Sequence, residues 1–227
     1  IKINGEPNIK DNQKSGSACE HWTRYPEDIK LIKETGVSHY RFSLEWSKIE
    51  QKPGVYSSRV IAHYSKIIDE LIKEGITPVV TLHHFTHPIW FDEIGGFEKE
   101  ENIKYLVEFS KHVFNQFSDR VKLWCTINEP GVVSVQGYFT GMFPPGKQDG
   151  MLTARVYKNL LESHVQIYHA LKSMDNGSES MIGIVKNINQ FDPWRRSNIL
   201  DWLFCMALNH VFNSAPINFF KTGNLKF

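Results

Sequence analysis

The sequence predicts a parallel α/β fold made of successive βα units, on two observations. Four short runs rich in apolar, β-branched or aromatic residues alternate with longer stretches of three-to-four apolar periodicity. That alternation is the mark of parallel strands joined by crossover helices. The third run then leads straight into Asn128-Glu129-Pro130. An amide and a carboxylate thus arrive at the C-terminal end of a strand, where folds of this class gather their functional groups.

The predicted strands are Ser38–Leu44, Thr77–His83, Val121–Ile127 and Met181–Val185. They alternate little, so each is expected to be buried on both faces. The first helix should hold Pro26 in its first turn, beside Glu27 and Asp28, with Gly36 as its C-terminal cap. The second starts near Ser57-Ser58, carries Ile61, Tyr64, Ile68, Leu71 and Ile72 on one stripe, and stops at Gly75. The third runs from about Lys99 to Phe117 and turns Ile103, Leu106, Val107, Ser110, Val113, Phe114 and Phe117 inward. A fourth covers about Leu152 to Ser173, and a fifth begins near Ser197 and is interrupted by Pro216. The strand spacing is too irregular for a solenoid and suits a barrel with long βα loops. The stretch from Tyr138 to Gly150 reads as such a loop after the third strand. No linker or low-complexity segment interrupts the chain, so residues 1–227 read as one domain.

Composition narrows the function. The net charge of +1 gives no electrostatic case for nucleic acid or an anionic membrane. No apolar run approaches the roughly 20 residues that span a bilayer, and no secretory pattern opens the chain. The chain starts at Ile1 rather than Met, so its natural start is expected to lie upstream or to have been removed. Cys19, Cys125 and Cys205 are odd in number and far apart, which favours a reducing, cytoplasmic setting. Cys125 is expected to be an inert core thiol. The aromatic content of 13% suits a large core and a sugar-stacking site alike.

Polar groups collect after the strands: Arg41 and then Glu45-Trp46, His84-Phe85-Thr86-His87-Pro88, and Asn128-Glu129-Pro130. In a parallel sheet these ends converge on one side. Guanidinium, imidazole, amide, carboxylate and aromatic groups together suit carbohydrate, whose hydroxyls need polar partners and whose C–H faces need flat apolar ones. Arg41 within an apolar strand calls for a partner. His83 and His84 are adjacent on a strand and point to opposite faces, so they do not form a metal site with His87. His83, His21, Trp22, Trp46 and Trp124 read as packing residues, and Gly95-Gly96 as a turn. No metal or cofactor is expected.

Several stretches resemble the family-one glycoside hydrolases, the retaining β-glycosidases on a (β/α)₈ barrel. They are Cys19-Glu20-His21-Trp22-Thr23-Arg24-Tyr25, Tyr40-Arg41-Phe42-Ser43-Leu44-Glu45-Trp46-Ser47, Gly75 to Phe85, Gly95-Gly96, Asp119-Arg120-Val121-Lys122 and Trp124 to Pro130. They occur in family order and at family spacing. The resemblance implies a partial (β/α)₈ TIM barrel of about four to five βα units. It implies Glu129 as general acid/base, Asn128 on the sugar 2-hydroxyl, His84 on other hydroxyls, and Arg41 beside the nucleophilic carboxylate. The substrate implied is a small β-glycoside.

Departures accompany the matches. The family's N-terminal strand with its sugar-binding glutamine is not recognisable before Ser15. Its nucleophile, within a Thr-Glu-Asn-Gly motif, is absent, so this chain alone is expected to hydrolyse glycosides poorly or not at all. Phe85, His87 and Lys48 stand where tryptophan, leucine and arginine are common in the family. Two alternatives follow. One is a non-catalytic half-barrel that binds sugar or acts as a scaffold and dimerises through its exposed edges. The other is an inverting hydrolase that pairs Glu129 with Glu45.

Overall fold

The computed structural model describes residues 2–3, 6–7 and 9–225. Among them, one sheet holds four parallel strands: β1 (His39–Ser43), β2 (Thr77–His83), β3 (Leu123–Asn128) and β4 (Met181–Val185). Their spatial order is β1-β2-β3-β4, each strand beside its predecessor in the chain. A sheet wound in one direction without reversal is the winding of a barrel, not of a doubly wound fold. The register sets Arg41 beside Val79 and Thr81 beside Cys125. The family's N-terminal strand, not recognisable in the sequence before Ser15, has no counterpart in this sheet among the described residues. There, Lys2–Ile3 pairs with Glu6–Pro7, and residues 1, 4, 5 and 8 lie outside the described residues.

The main helices are α1 (His21–Glu34), α2 (Ser58–Lys73), α3 (Ile103–Phe117), α4 (Gly150–Lys172) and α5 (Ile199–Asn209). α2 starts where the Ser57 side chain accepts the Val60 N–H, a side-chain N-cap. Asp149 caps α4 in the same way through Leu152 N–H. One face of the sheet packs on these helices: Val80, Leu82 and Trp124 join Tyr64, Ile68, Phe114 and Leu160 in one core. Trp46 and Trp124 lie in that core, as expected. Burying such a side chain contributes roughly 2–3 kcal/mol.

The opposite, concave face departs from expectation. β2 and β3, in the middle of the sheet, are buried along most of their length, whereas on the edge strands Arg41 and Gly183 are exposed and Met181 is 70% exposed. Cys125 is half-buried on this face rather than sealed in the core. No second layer covers the concave side among the described residues, so alternate positions of β1 and β4 keep contact with water.

Helix details also differ. α1 begins at His21, ahead of Pro26. A bond between His21 Nδ1 and Asp28 (2.6 Å) and stacking of Trp22 on His63 (3.8 Å between centroids) hold the turn that precedes the proline. Ile72 of α2 is 42% exposed, while Val60 and Ile67 complete the buried stripe. Phe109 adds to the buried face of α3. Tyr138 is not in a loop; it lies in a π-helical turn, Val135–Phe139, that extends the short helix Pro130–Ser134.

Pro216 does not end the last helical segment. A π-turn, His210–Ser214, precedes it and leads into the helix Ala215–Thr222. Proline has no N–H for the carbonyl four residues earlier, that of Phe212. The Lys186 ammonium donates to that carbonyl instead. The Asn213 side chain bonds both backbone groups of Asn189 (2.7 and 3.2 Å), so the turn is tied to the segment after β4.

Candidate active site

β3 ends at Asn128, whose side chain is 3% exposed. Arg41, on β1, donates from Nη1 to Asn128 Oδ1 at 3.1 Å. Two strands with β2 between them are thus bridged across the concave face. The predicted partner for Arg41 exists, but it is an amide. The bond consumes acceptor capacity on Asn128 and leaves the Nδ2 hydrogens for another acceptor, such as a hydroxyl.

Glu129 follows in the left-handed region (φ 45°, ψ 65°). For a residue with a Cβ that conformation costs about 1–2 kcal/mol. It persists because both sides fix it. The Glu129 N–H donates to Val185 O at 2.8 Å, and the Glu129 carbonyl accepts from Val132 and Val133 as the next helix begins. The carboxylate makes no capping bond to that helix. The strained turn therefore separates backbone from side chain: the backbone closes the βα junction and the carboxylate is left for other work.

His84 comes one residue after β2 and turns its Nδ1 to Ser43 Oγ at 2.8 Å. Partial burial holds its pKa below the usual imidazole value. The Arg41 charge pushes the same way, and the Glu129 carboxylate opposes both. The ring is accordingly neutral at pH 7. Arg41, His84, Asn128 and Glu129 thus lie within reach of one another through a bond or a field. Ser43, which sequence reasoning passed over, fixes the His84 ring. Its signal was its place two residues beyond Arg41 on the same strand face.

The remaining candidates resolve as packing. His83 is fully buried, and burial pushes its pKa well down, with His87 and His84 adding to the effect. No cluster of metal-ligand side chains occurs among the described residues. Gly95 and Gly96 form a turn at φ 102° and 48°. Glu45 accepts from Ser47 N–H and Oγ and from Thr86 Oγ1, the role of a helix cap and loop tie. That engagement disfavours pairing it with Glu129 in an inverting site.

A half-wound βα barrel with a carboxylate, an amide, an imidazole and a guanidinium at its strand ends is the arrangement of a barrel glycosidase. The chain belongs to glycosyl hydrolase family 1, whose model matches residues 3–212. It is 34% identical over 211 residues to β-glucosidase A of Thermotoga maritima, covering 92% of this chain and 46% of that protein. It is 40% identical over 173 residues to human cytosolic β-glucosidase, covering 75% and 37%. The solved family 1 β-glucosidase from T. maritima superposes with a TM-score of 0.89 at 32% identity, over 97% of this chain and 50% of that one. A β-glycosidase from Pyrococcus horikoshii gives 0.85 at 35% identity, over 92% and 48%. The fold is therefore part of a (β/α)₈ barrel, and the chain spans about half the length of the relatives it matches. No described helix is long and apolar enough to cross a membrane.

Proposed function

We propose that the whole protein hydrolyses β-glycosidic bonds of small β-glycosides by a retaining mechanism, with Glu129 as general acid/base. The observation that carries this is the Glu129 junction: a strained strand end that frees a carboxylate next to Asn128, Arg41 and His84. In this reading Glu129 protonates the leaving-group oxygen and later takes a proton from the attacking water. Asn128, oriented by Arg41, bonds the sugar 2-hydroxyl, and neutral His84 bonds a further hydroxyl. Retention requires a second carboxyl group about 5–5.5 Å away. By the family resemblance that nucleophile belongs to the half of the relatives that this chain does not match. The human relative named cytosolic, at 40% identity, supports a cytoplasmic setting.

A chimera of residues 1–227 with the remaining half of T. maritima β-glucosidase A tests the assignment. Glu129→Gln should slow an alkyl β-glucoside by about 10²–10⁴-fold. It should slow the formation of the glycosyl-enzyme from a nitrophenyl β-glucoside far less, because that leaving group needs no proton. Equal losses on both substrates would remove Glu129 from the acid role. Robust turnover by this chain alone, with sugar trapped on one of its residues, would refute the placing of the nucleophile elsewhere.

A second reading has its own support. Trp194 is 92% exposed, and Ile199, Leu200, Phe204 and Met206 of α5 are each more than 60% exposed. An apolar surface of that kind invites a partner. A non-catalytic half-barrel that dimerises would cover it with a second copy. A dimer by light scattering, together with sugar binding and no turnover in the chimera, would favour this reading.

A further inference from the structure

We propose that the first turn of α1 is a latch that acid releases, closed by the docking of Trp22 on His63 of α2. The latch rests on no catalytic reading, so its failure leaves the role of Glu129 untouched. Residues 11–20 are all exposed, so His21 and Trp22 are the first side chains after that stretch to pack on the body. Two groups share the Trp22 indole. The His63 ring stacks on it at 3.8 Å between centroids and 26° between planes, and Lys48 Nζ stands over it at 4.1 Å. The indole thus already holds one cation, and a second at His63 would sit close to the first. Tyr25 meets the His63 ring edge-on, and Tyr64 meets Trp22 in the same way, each at 5.4 Å. Within this aromatic cluster His63 Nε2 is sealed from water and has no hydrogen-bond partner among the described residues.

That nitrogen decides how the latch behaves. A neutral ring can keep a bare lone pair there. A protonated ring carries N–H at both nitrogens, which leaves a charged donor with neither water nor acceptor. An imidazolium is attracted to an indole face, but that gain is smaller than the cost of a sealed charged donor without a partner. The neighbouring charges add to the cost. Burial, Lys66 on the same helix, Lys48 from the short helix Trp46–Ile49 and His21 from α1 hold the His63 pKa below its usual 6.5, and a backbone bond to Trp22 opposes them. The α1 carboxylate Asp28 is taken up by His21. As pH falls below about 6.5, a His63 ring released to water takes a proton before a docked one does. Opening therefore gains in acid, and the first turn of α1 loses its hold on α2.

Amide hydrogen exchange by NMR, corrected for intrinsic rates and compared at about pH 7.5 and about pH 5.5, tests this across the window in which histidine titrates. The reporters are Thr23 N–H and Arg24 N–H, each bonded to Glu20 O at 2.9 Å within the first turn. Their protection should fall roughly fivefold or more on acidification. His63→Phe keeps a flat ring against Trp22 and cannot titrate, so the fall should vanish while every other histidine remains. Lys48→Met, at an exposed position, removes the cation from the indole. It should raise the His63 pKa, read from the ring proton shifts, and shrink the fall. Protection that ignores pH in the unaltered chain would overturn the proposal. So would a fall that persists in His63→Phe, or a His63 pKa at or above the usual 6.5. If His63→Phe does not fold, Lys48→Met carries the test, and an unchanged fall there would overturn the latch.

Discussion

His164 offers a direct link between pH and the strand that carries Asn128. Thr126, two residues before Asn128, gives its hydroxyl proton to Gly183 O at 3.2 Å across the β3–β4 junction. Its oxygen then accepts from His164 Nδ1 at 2.8 Å. Burial, with a smaller push from His169, brings the His164 pKa down from 6.5 to about 4. The unfolded chain therefore binds this proton below pH 6.5, and the folded chain resists it until about pH 4. Stability is lost as pH falls through that window. Between pH 8 and pH 4.5 the loss from this one group is about 2.5 kcal/mol, reduced to about 2 by the ring's partial contact with water. His164→Asn keeps a donor near the Nδ1 position and removes the titration. Urea unfolding of both proteins at the two pH values gives the comparison. The variant should lose about 2 kcal/mol less than the parent on acidification. His63, His83, His84 and His112, whose pKa values are also lowered, are common to both proteins and cancel in the difference. Equal losses would show that His164 does not stay neutral in the folded state.

Three further outcomes follow from single contacts. Lys186→Met removes the ammonium from Phe212 O and should speed amide hydrogen exchange across residues 210–216, at a cost of about 1–3 kcal/mol; unchanged exchange would mean the π-turn stands without it. Trp46→Phe leaves the 2%-exposed Glu50 with one of its two side-chain bonds and should destabilise by about 1–3 kcal/mol, read by the urea midpoint. Burial already raises the Glu50 pKa, and losing the Trp46 donor should raise it further, so this variant should lose part of its deficit as pH falls. Ser43→Ala frees the His84 ring and, in the chimera, should weaken substrate binding more than it changes stability, seen as a raised KM with a nearly unchanged urea midpoint.

Strand positions were legible because parallel strands are short apolar runs between capped helices. Thr77–His83 and Met181–Val185 were found to the residue. What escaped depends on contacts between distant segments. Pro26 reads locally as a helix start, yet Trp22 docks on His63 and His21 reaches Asp28, which adds a turn before it. Pro216 reads as a break, yet Lys186 satisfies the carbonyl that the proline strands. Strand composition predicted burial on both faces, but burial of the concave face depends on what covers it, and composition carries no record of that. The acid/base candidate was visible as a carboxylate after a strand, whereas its left-handed backbone was not, since glutamate has no preference for that region.

That backbone conformation ties the site to the fold. The Glu129 N–H donates to Val185 O, so the βα junction closes only when β4 lies beside β3. β4 is held by the Thr126 bond to Gly183 O on one side and, through Lys186 and the Asn213–Asn189 pair, by the π-turn ahead of Pro216 on the other. Arg41 approaches Asn128 from β1 across β2, so the opposite end of the sheet sets the amide. Each candidate group is therefore placed by a strand other than its own. The strain at Glu129, about 1–2 kcal/mol, is sustained by this cross-strand fixing. Disturbing β4 should displace the carboxylate before it unfolds the core, because the buried residues on β2, α2 and α3 make none of these contacts.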